Sequence, residues 1–156
     1  LLILAGLTFF TFWRQTANYK DEVISEHIIE LVNVFKKIDE KCGIIGFEHQ
    51  RNYIDFLTVE SFVGSEVGSM NLKYPHHWQG PYLDDNPTIQ EKYYEIIATD
   101  KGYFIVPGEG VELGDGTILG KDIIFTKHTD IQGLIDQGLL KKNKKALAAK
   151  ITIQSY

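Results

Sequence analysis

The chain has 156 residues, of which 44% are hydrophobic and 24% charged, so it is long enough for one hydrophobic core but short for two. Its formal net charge of −5 gives no reason to propose a nucleic-acid surface, and the basic stretch KKNKKALAAK lacks aromatic residues for stacking on bases, so we assign it to a solvated face. The single cysteine, Cys42, excludes an intramolecular disulfide and a zinc site built on several cysteines.

The first thirteen residues, LLILAGLTFFTFW, carry no charge. As a helix they would span about 20 Å at ~1.5 Å per residue, which is short of the roughly 30 Å of a bilayer core. Three interpretations of this segment are open: a signal peptide, a buried core helix, or the second half of a membrane helix. It has neither a basic region in front nor a small-residue cleavage site, which argues against a signal peptide. We favour a truncated or cleaved membrane segment.

The next stretch, up to Gly43, contains no proline or glycine to interrupt a helix. Apolar residues recur along one face of it at helical spacing, and most of its charged residues fall on the other face. The apolar positions are Ala17, Ile24, Ile28, Leu31, Phe35, Ile38 and Cys42. We therefore predict one helix over residues 1–42, about 60 Å long at ~1.5 Å per residue, followed by a head over residues 43–156. A plain coiled-coil or core helix fits the same pattern.

After Gly43 the sequence pattern changes to that of strands. Residues 53–59 alternate, and Asp100-Lys101-Gly102 separates two β-rich runs, which predicts a hairpin. Asp115-Gly116 predicts a second turn, and residues 122–125 a further short strand. Connections this short favour an antiparallel meander over a parallel sheet.

The end of the chain predicts one short helix and one strand. Thr129 and Gln132 fit a capping box before IQGLIDQG, which Gly138 would end, and ITIQSY alternates as a terminal strand would. A long helix followed by an antiparallel sheet is an α+β arrangement. The stripe on the helix is expected to pack on that sheet.

A loop rich in proline, glycine and asparagine, SMNLKYPHHWQGPYLDDNP, lies between the first strands and the hairpin. His76 and His77 are two metal-ligand types side by side, but a third ligand at suitable spacing is missing from the loop. We expect them to be solvated or packed on Trp78.

Two stretches carry a resemblance to a known family. The run Trp78, Gly80, Pro81, Tyr82 and Leu83 resembles the loop that precedes the sheet in type IV pilin-like proteins, especially the major pseudopilin of type II secretion. Residues 113–123, LGDGTILGKDI, are similar to the glycine- and aspartate-rich calcium loop of that pseudopilin. With the long helix, the order of these features covers about residues 1–125.

The resemblance implies a pilin-like fold and a structural role without catalysis. The helix would anchor the subunit in the bacterial inner membrane and then pack against copies of itself in a helical filament, in the periplasm or at the cell surface. Secretion or pilus assembly machinery would be its partner. A single-pass membrane-anchored binding domain that does not polymerise is the alternative. The residues expected in assembly are Leu1, Leu2, Leu4, Leu7, Phe9, Phe10, Phe12 and Trp13.

The resemblance also implies calcium as a cofactor. Asp115 and Asp122 match the acidic positions of the family loop, and Glu112 lies near them in sequence. Oxygen ligands separated by flexible glycines suit the six to eight oxygens that calcium takes. Asp115 as an ordinary turn residue and Asp122 at a solvated strand edge are the competing interpretations.

Family members begin with an aromatic residue and carry a glutamate at the fifth position of the mature chain, where this sequence has Leu1 and Ala5. We expect the printed chain to start about ten residues into the mature helix. Enzyme signatures fail: the glycine-rich stretches GEGVEL and GDGTIL lack the third glycine of a dinucleotide loop, and DGTILGKD departs from a phosphate-binding loop at both ends.

Overall fold

The protein is described by a computed structural model, which covers the backbone of residues 2–154 and the side chains of residues 19–154. One long helix is followed by small antiparallel sheets, so the predicted α+β class and order of elements are confirmed. The helices are α1 (Leu2–Cys42) and α2 (Ile131–Asp136), and Pro75–His77 form a 3-10 turn. The strands are β1 (Ile44–Phe47), β2 (Arg51–Tyr53), β3 (Glu66–Val67), β4 (Met70–Leu72), β5 (Thr88–Ile89), β6 (Lys92–Tyr93), β7 (Glu95–Thr99), β8 (Gly102–Val106), β9 (Lys141–Lys142), β10 (Lys145–Ala146) and β11 (Ala149–Lys150).

The strands form two larger sheets and two hairpins. The four-stranded sheet has the order β11-β8-β7-β2, and the three-stranded sheet has the order β1-β4-β3. β5 pairs with β6, and β9 pairs with β10. Every pairing between these strands is antiparallel. Short turns join the consecutive pairs β3–β4, β5–β6, β7–β8 and β9–β10, whereas β1–β4, β2–β7 and β8–β11 bring together strands distant in sequence.

The hairpin β7–β8 is the longest pairing in the head. Its register runs from Glu95 opposite Val106 to Thr99 opposite Gly102. Gly102 has a φ of 114°, a conformation that a side chain would strain, and the Thr99 hydroxyl donates a 2.8 Å hydrogen bond to the Gly102 carbonyl. The hairpin predicted around Asp100-Lys101-Gly102 is therefore confirmed.

The apolar stripe of α1 is buried against the head. Ile24, Leu31, Phe35, Ile38 and Cys42 have no exposed surface. The Phe35 ring makes edge-to-face contacts with aromatic rings from the head, 6.1 Å from Phe47 and 6.2 Å from Phe56 between centroids. The stripe predicted from the sequence is confirmed over residues 24–42, and the side chain of Ala17 lies outside the described residues.

The charged residues of α1 are not all exposed to solvent. Asp39 is only 2% exposed, and its two carboxylate oxygens accept hydrogen bonds from the Ile44 amide at 2.8 Å and the Gln154 amide at 2.9 Å. Gly43, with a φ of 64°, ends the helix. The Asp39 carboxylate thus joins the end of α1 to the two segments that pass beside it.

Three strand predictions are wrong in extent. Strand β2 ends at Tyr53, and the alternating residues that follow it turn inwards without pairing, so that Phe56 and Leu57 are buried. Residues 122–125 contribute only an isolated bridge between Leu119 and Ile123. The terminal strand is β11, because beyond it the chain leaves β8 and turns towards Asp39.

Helix α2 lies one residue from its predicted start. Asp130, rather than Thr129, is its N-cap, and the Asp130 carboxylate accepts a 3.1 Å hydrogen bond from the Gly133 amide. Gly138 follows the helix with a φ of 86°, in agreement with the prediction that it ends there.

We predict that Leu31→Ala lowers the free energy of unfolding by about 2–5 kcal/mol, because it leaves a cavity beneath α1. Chemical denaturation followed by circular dichroism measures this. Glu30→Ala, at the exposed neighbouring position, is the control and should change stability by less than about 0.5 kcal/mol. Equal effects of the two substitutions would contradict the packing described here.

Candidate functional site

The aspartate-rich loop, residues 112–123, is built on a tight turn beside α1. Glu112 and Ile118 form an antiparallel bridge, and the Leu113 amide donates a 2.8 Å hydrogen bond to the Thr117 carbonyl. Gly116, at the tip, has a φ of 89°. Leu113 and Leu119 are buried and anchor the loop on the core. The turn predicted at Asp115-Gly116 is confirmed.

Two of the predicted calcium ligands lie on this turn and bind consecutive backbone amides. Asp115 accepts a 2.9 Å hydrogen bond from the Thr117 amide, and Asp122 accepts one of 2.8 Å from the Ile118 amide. Partial burial acts to raise the pKa of Asp115, but hydrogen bonds from Thr117 outweigh it and hold that pKa below its ordinary value. Both side chains are exposed, and each carboxylate has a second oxygen beyond these hydrogen bonds.

The third predicted ligand, Glu112, is engaged through its backbone. Its amide donates to the Gln90 side-chain oxygen at 2.9 Å, and its carbonyl accepts from the Gln90 amide group at 2.8 Å. Within residues 19–154, no three His, Cys, Asp or Glu side chains are close enough together to hold a metal ion. Asp115 and Asp122 fit calcium as two carboxylate donors, which backbone carbonyls and water would have to supplement. Calcium binding stays a prediction.

A buried carboxylate that the sequence analysis did not single out ties this loop to α1. Asp21 is 4% exposed and accepts a 2.8 Å hydrogen bond from the Gly114 amide. Burial raises the pKa of Asp21, while the Gly114 hydrogen bond and the charge of Lys142 oppose the rise. Asp21 lies in a run of charged residues that resembles any solvated face, so the sequence offers no local signal for its role.

The loop around Trp78, which carries the first of the two resemblances, is anchored by the Trp78 side chain. The Trp78 indole nitrogen donates a 3.0 Å hydrogen bond to the Val59 carbonyl. Its ring makes edge-to-face contacts with Phe62 and Tyr82, at centroid distances of 5.4 and 4.7 Å. These contacts hold the chain after Leu57 against the loop, so Trp78 has a structural role in the head.

The rest of the motif packs closely beneath Trp78. The Gly80–Pro81 peptide bond is cis, and the amides of Tyr82 and Leu83 both donate to the Leu57 carbonyl, at 2.9 and 3.2 Å. A side chain at Gly80 would place its Cβ 2.1 Å from the Val59 carbonyl oxygen. Only glycine fits there, so the packing explains why position 80 is glycine without any appeal to the resemblance.

The two adjacent histidines lie on the 3-10 turn that contacts the end of α1. His77 stacks on Tyr74, with 5.6 Å between ring centroids, and its Nδ1 lies 3.1 Å from the Lys41 carbonyl oxygen. The His76 ring makes an edge contact with that of His77 at 4.3 Å. Neither histidine packs on Trp78 among the ring contacts of the described residues.

A second buried carboxylate, Glu95, is also absent from the sequence analysis. It is 1% exposed at the start of β7 and lies 3.1 Å from the Arg51 guanidinium. It also accepts a 2.6 Å hydrogen bond from the Glu109 amide. The Glu95 carboxylate is thus fully occupied in joining β2 and β7 to the segment after β8, and we assign it no chemistry.

The residues predicted to act in assembly, from Leu1 to Trp13, lie outside the described side chains. Within the part of the chain that was searched, the described residues, no helix is both long and apolar enough to cross a membrane. Comparisons of the chain with protein-family models, with curated proteins and with solved structures find no match.

The burial of Asp21 predicts a pH dependence. Because its folded-state pKa is raised, its proton-linked stabilisation is fully present below the ordinary value of 3.8 and is lost as the pH rises through the folded value. Asp21→Asn keeps an acceptor for the Gly114 amide but does not titrate. We expect this variant to gain stability relative to the wild type as the pH rises from about 3.5 to about 7.

Chemical denaturation at a series of pH values measures this difference. Glu22→Gln, at the exposed neighbouring position, is the control and should show no such trend. A difference that moves in the opposite direction would mean that the ionised Asp21 carboxylate stabilises the fold, contrary to the burial argument.

Proposed function

We propose that this chain is the structural subunit of a type IV pilus-like or type II secretion pseudopilus filament. It assembles through the apolar first third of its long helix. The observation that carries the proposal is the contrast between the buried stripe in the second part of α1 and the uncharged sequence at its start. Residues 24–42 are covered by the head on one side, while the first thirteen residues of the chain are uncharged and include three phenylalanines and a tryptophan. Such a segment needs lipid or other copies of itself around it, because exposed apolar surface of this extent promotes aggregation.

The arrangement of the head supports the same proposal. Its sheets and loops cover the apolar stripe of α1 over residues 24–42. The turn of Asp115 and Asp122 is held on α1 through the Gly114–Asp21 hydrogen bond, and the loop motif around Trp78 holds two segments of the head together through the Val59 carbonyl. Each of these roles is structural, as a filament subunit requires.

Electron microscopy of full-length protein sheared from the cell surface or membrane tests this function. We expect uniform thin filaments from the wild type and none from Phe9→Asp, because a carboxylate in an apolar filament core lacks a partner. Tyr19→Asp is the matched control, since Tyr19 is 69% exposed on the same helix, and filaments should persist. Monodisperse particles that depend on detergent would contradict the proposal and favour an anchored binding domain.

Calcium binding to the aspartate-rich loop belongs to the same proposal. Calcium would cross-link oxygen donors around Asp115 and Asp122 and so hold the turn. We expect Ca²⁺ to raise the thermal unfolding midpoint of the wild type, because a ligand that binds only the folded state stabilises it. Asp115→Asn combined with Asp122→Asn should abolish the shift, and Asp84→Asn, at an exposed loop position, should retain it.

Differential scanning calorimetry with and without Ca²⁺ measures these shifts, with Mg²⁺ as the ion control because it demands a smaller, more regular site. An unchanged midpoint in the wild type, or an equal shift in the double variant, would overturn calcium binding and leave the filament proposal intact.

A further inference from the structure

A groove of about 370 Å³ runs along α1 beside the last strands of the head. Its floor is apolar and is formed by α1 on one side and by β10 and β11 on the other. Ile29, at its centre, is 60% exposed, which is unusual for an isoleucine on a helix that buries its neighbours. The residues that line this groove are Ser25, Ile28, Ile29, Val32, Asn33, Lys144, Lys145, Ala146 and Ala149.

Two lysines of the hairpin β9–β10 region, Lys144 and Lys145, lie on the rim of this groove. The hairpin β9–β10 places Lys141, Lys142, Lys144 and Lys145 around a two-residue turn, and all four are exposed. This is a local concentration of positive charge in a chain whose net charge is −5. Lys145 lies 3.7 Å from Glu22, but both side chains are more than half exposed, so solvent screens the pair and leaves it weak.

A complementary surface lies elsewhere on the same head. The acidic loop, residues 58–66, carries Glu60 and Glu66 on either side of Val63, and the Val63 side chain is fully exposed. No lysine, arginine or histidine occurs between Arg51 and Lys73. An apolar tip flanked by carboxylates complements an apolar floor rimmed by lysines in polarity and in charge.

The base of the acidic loop is held rigidly. The Phe62 ring packs on Trp78, and the Val59 carbonyl accepts the indole hydrogen bond. These contacts anchor the residues on the N-terminal side of Val63, which limits the conformational entropy that the loop would lose on docking. The Trp78 motif therefore also supports the exposed loop that carries Val63.

The loop and the groove lie at different heights along α1. Phe62 of the loop packs on Trp78, which directly follows the 3-10 turn, and the Tyr74 amide in front of that turn donates a 2.7 Å hydrogen bond to the Cys42 carbonyl at the end of the helix. The groove is centred near Ile29, thirteen residues earlier, which corresponds to roughly 20 Å at ~1.5 Å per residue. A contact between the two surfaces therefore joins different copies and is heterologous, and such contacts build open helical assemblies when they do not close into rings.

We propose that the acidic loop of one copy docks in the lysine-rimmed groove of a neighbouring copy. Val63 lies on the Ile29 floor, and Glu60 and Glu66 face Lys144 and Lys145. The inference rests on the proposed filament function and specifies a contact between heads within it. It also gives the basic hairpin, which the sequence analysis assigned to a solvated face, a binding partner.

Disulfide cross-linking in assembled full-length protein tests the contact. We expect the double variant Val63→Cys with Ile29→Cys to form a ladder of covalent multimers on oxidation. The native Cys42 is buried and does not take part. The control pairs Val63→Cys with Leu139→Cys, which is 49% exposed but lies outside the groove, and it should give no ladder.

Charge reversal in the Val63→Cys/Ile29→Cys background supplies a second test. Lys144→Glu combined with Lys145→Glu should remove the ladder, and the further changes Glu60→Lys and Glu66→Lys should restore it. Lys37→Glu with Lys127→Glu, at two exposed lysines elsewhere, is the control and should leave the ladder unchanged. All of these positions are exposed, so the fold is retained.

The outcomes separate the docking contact from the filament itself. Filaments without a ladder, or a ladder equally strong in the Leu139→Cys control, would overturn the docking contact while the filament function stands. Monodisperse particles in electron microscopy of the same samples would overturn the filament function and the contact together. A ladder that charge reversal removes and double reversal restores would support both.

Discussion

The burial of one face of α1 between Ile24 and Cys42 determines where the rest of the head lies. Each fully buried Leu, Ile or Phe on this face contributes about 1.5–3 kcal/mol, which together exceeds what the short sheets can gain from pairing alone. The helix packs against β8, β10, β11 and the 3-10 turn, so segments from different parts of the head meet on it. A two-stranded hairpin such as β9–β10 is at best marginally stable in water without such a partner.

Apolar packing leaves the position of α1 along its own axis adjustable, and two carboxylates fix it. Packing along a stripe permits small shifts along the axis, whereas a hydrogen bond to a named backbone amide does not. Asp39 binds the amides of Ile44 and Gln154 at the C-terminal end of α1, and Asp21 binds the amide of Gly114 five turns earlier. The two carboxylates therefore set the register of the helix against the head at both ends of its buried part.

The sequence predicted the elements whose signals are local. The helical period placed Leu31 and Phe35 in the core, and Asp100-Lys101-Gly102 marked the hairpin β7–β8 because the turn chemistry resides in those residues themselves. The alternating residues after Tyr53 predicted a strand that the structure does not contain. The same alternation occurs in a segment that turns inwards beneath Trp78 without pairing. Whether such a segment pairs depends on neighbours distant in sequence.

The same distinction holds for the candidate site. Asp115 and Asp122 were singled out because the short stretch that contains them resembles a known calcium loop, and the structure places both on one turn. Asp21 and Glu95 were missed, because each is a charged residue whose burial is decided by an amide far along the chain. The lysine-rimmed groove was missed for a related reason: its floor combines α1 with strands more than a hundred residues later.

The Asp21–Gly114 hydrogen bond links the proposed functions of the helix and the aspartate-rich loop. It joins α1 to the loop at a point between the groove and the apolar first third of the helix. A ligand that stabilises the conformation of the turn also stabilises the Gly114 amide in its place, and by linkage the docked position of α1. The same helix position sets the groove floor at Ile29. Holding the turn would therefore favour the arrangement of head and helix that presents this surface to a neighbouring copy.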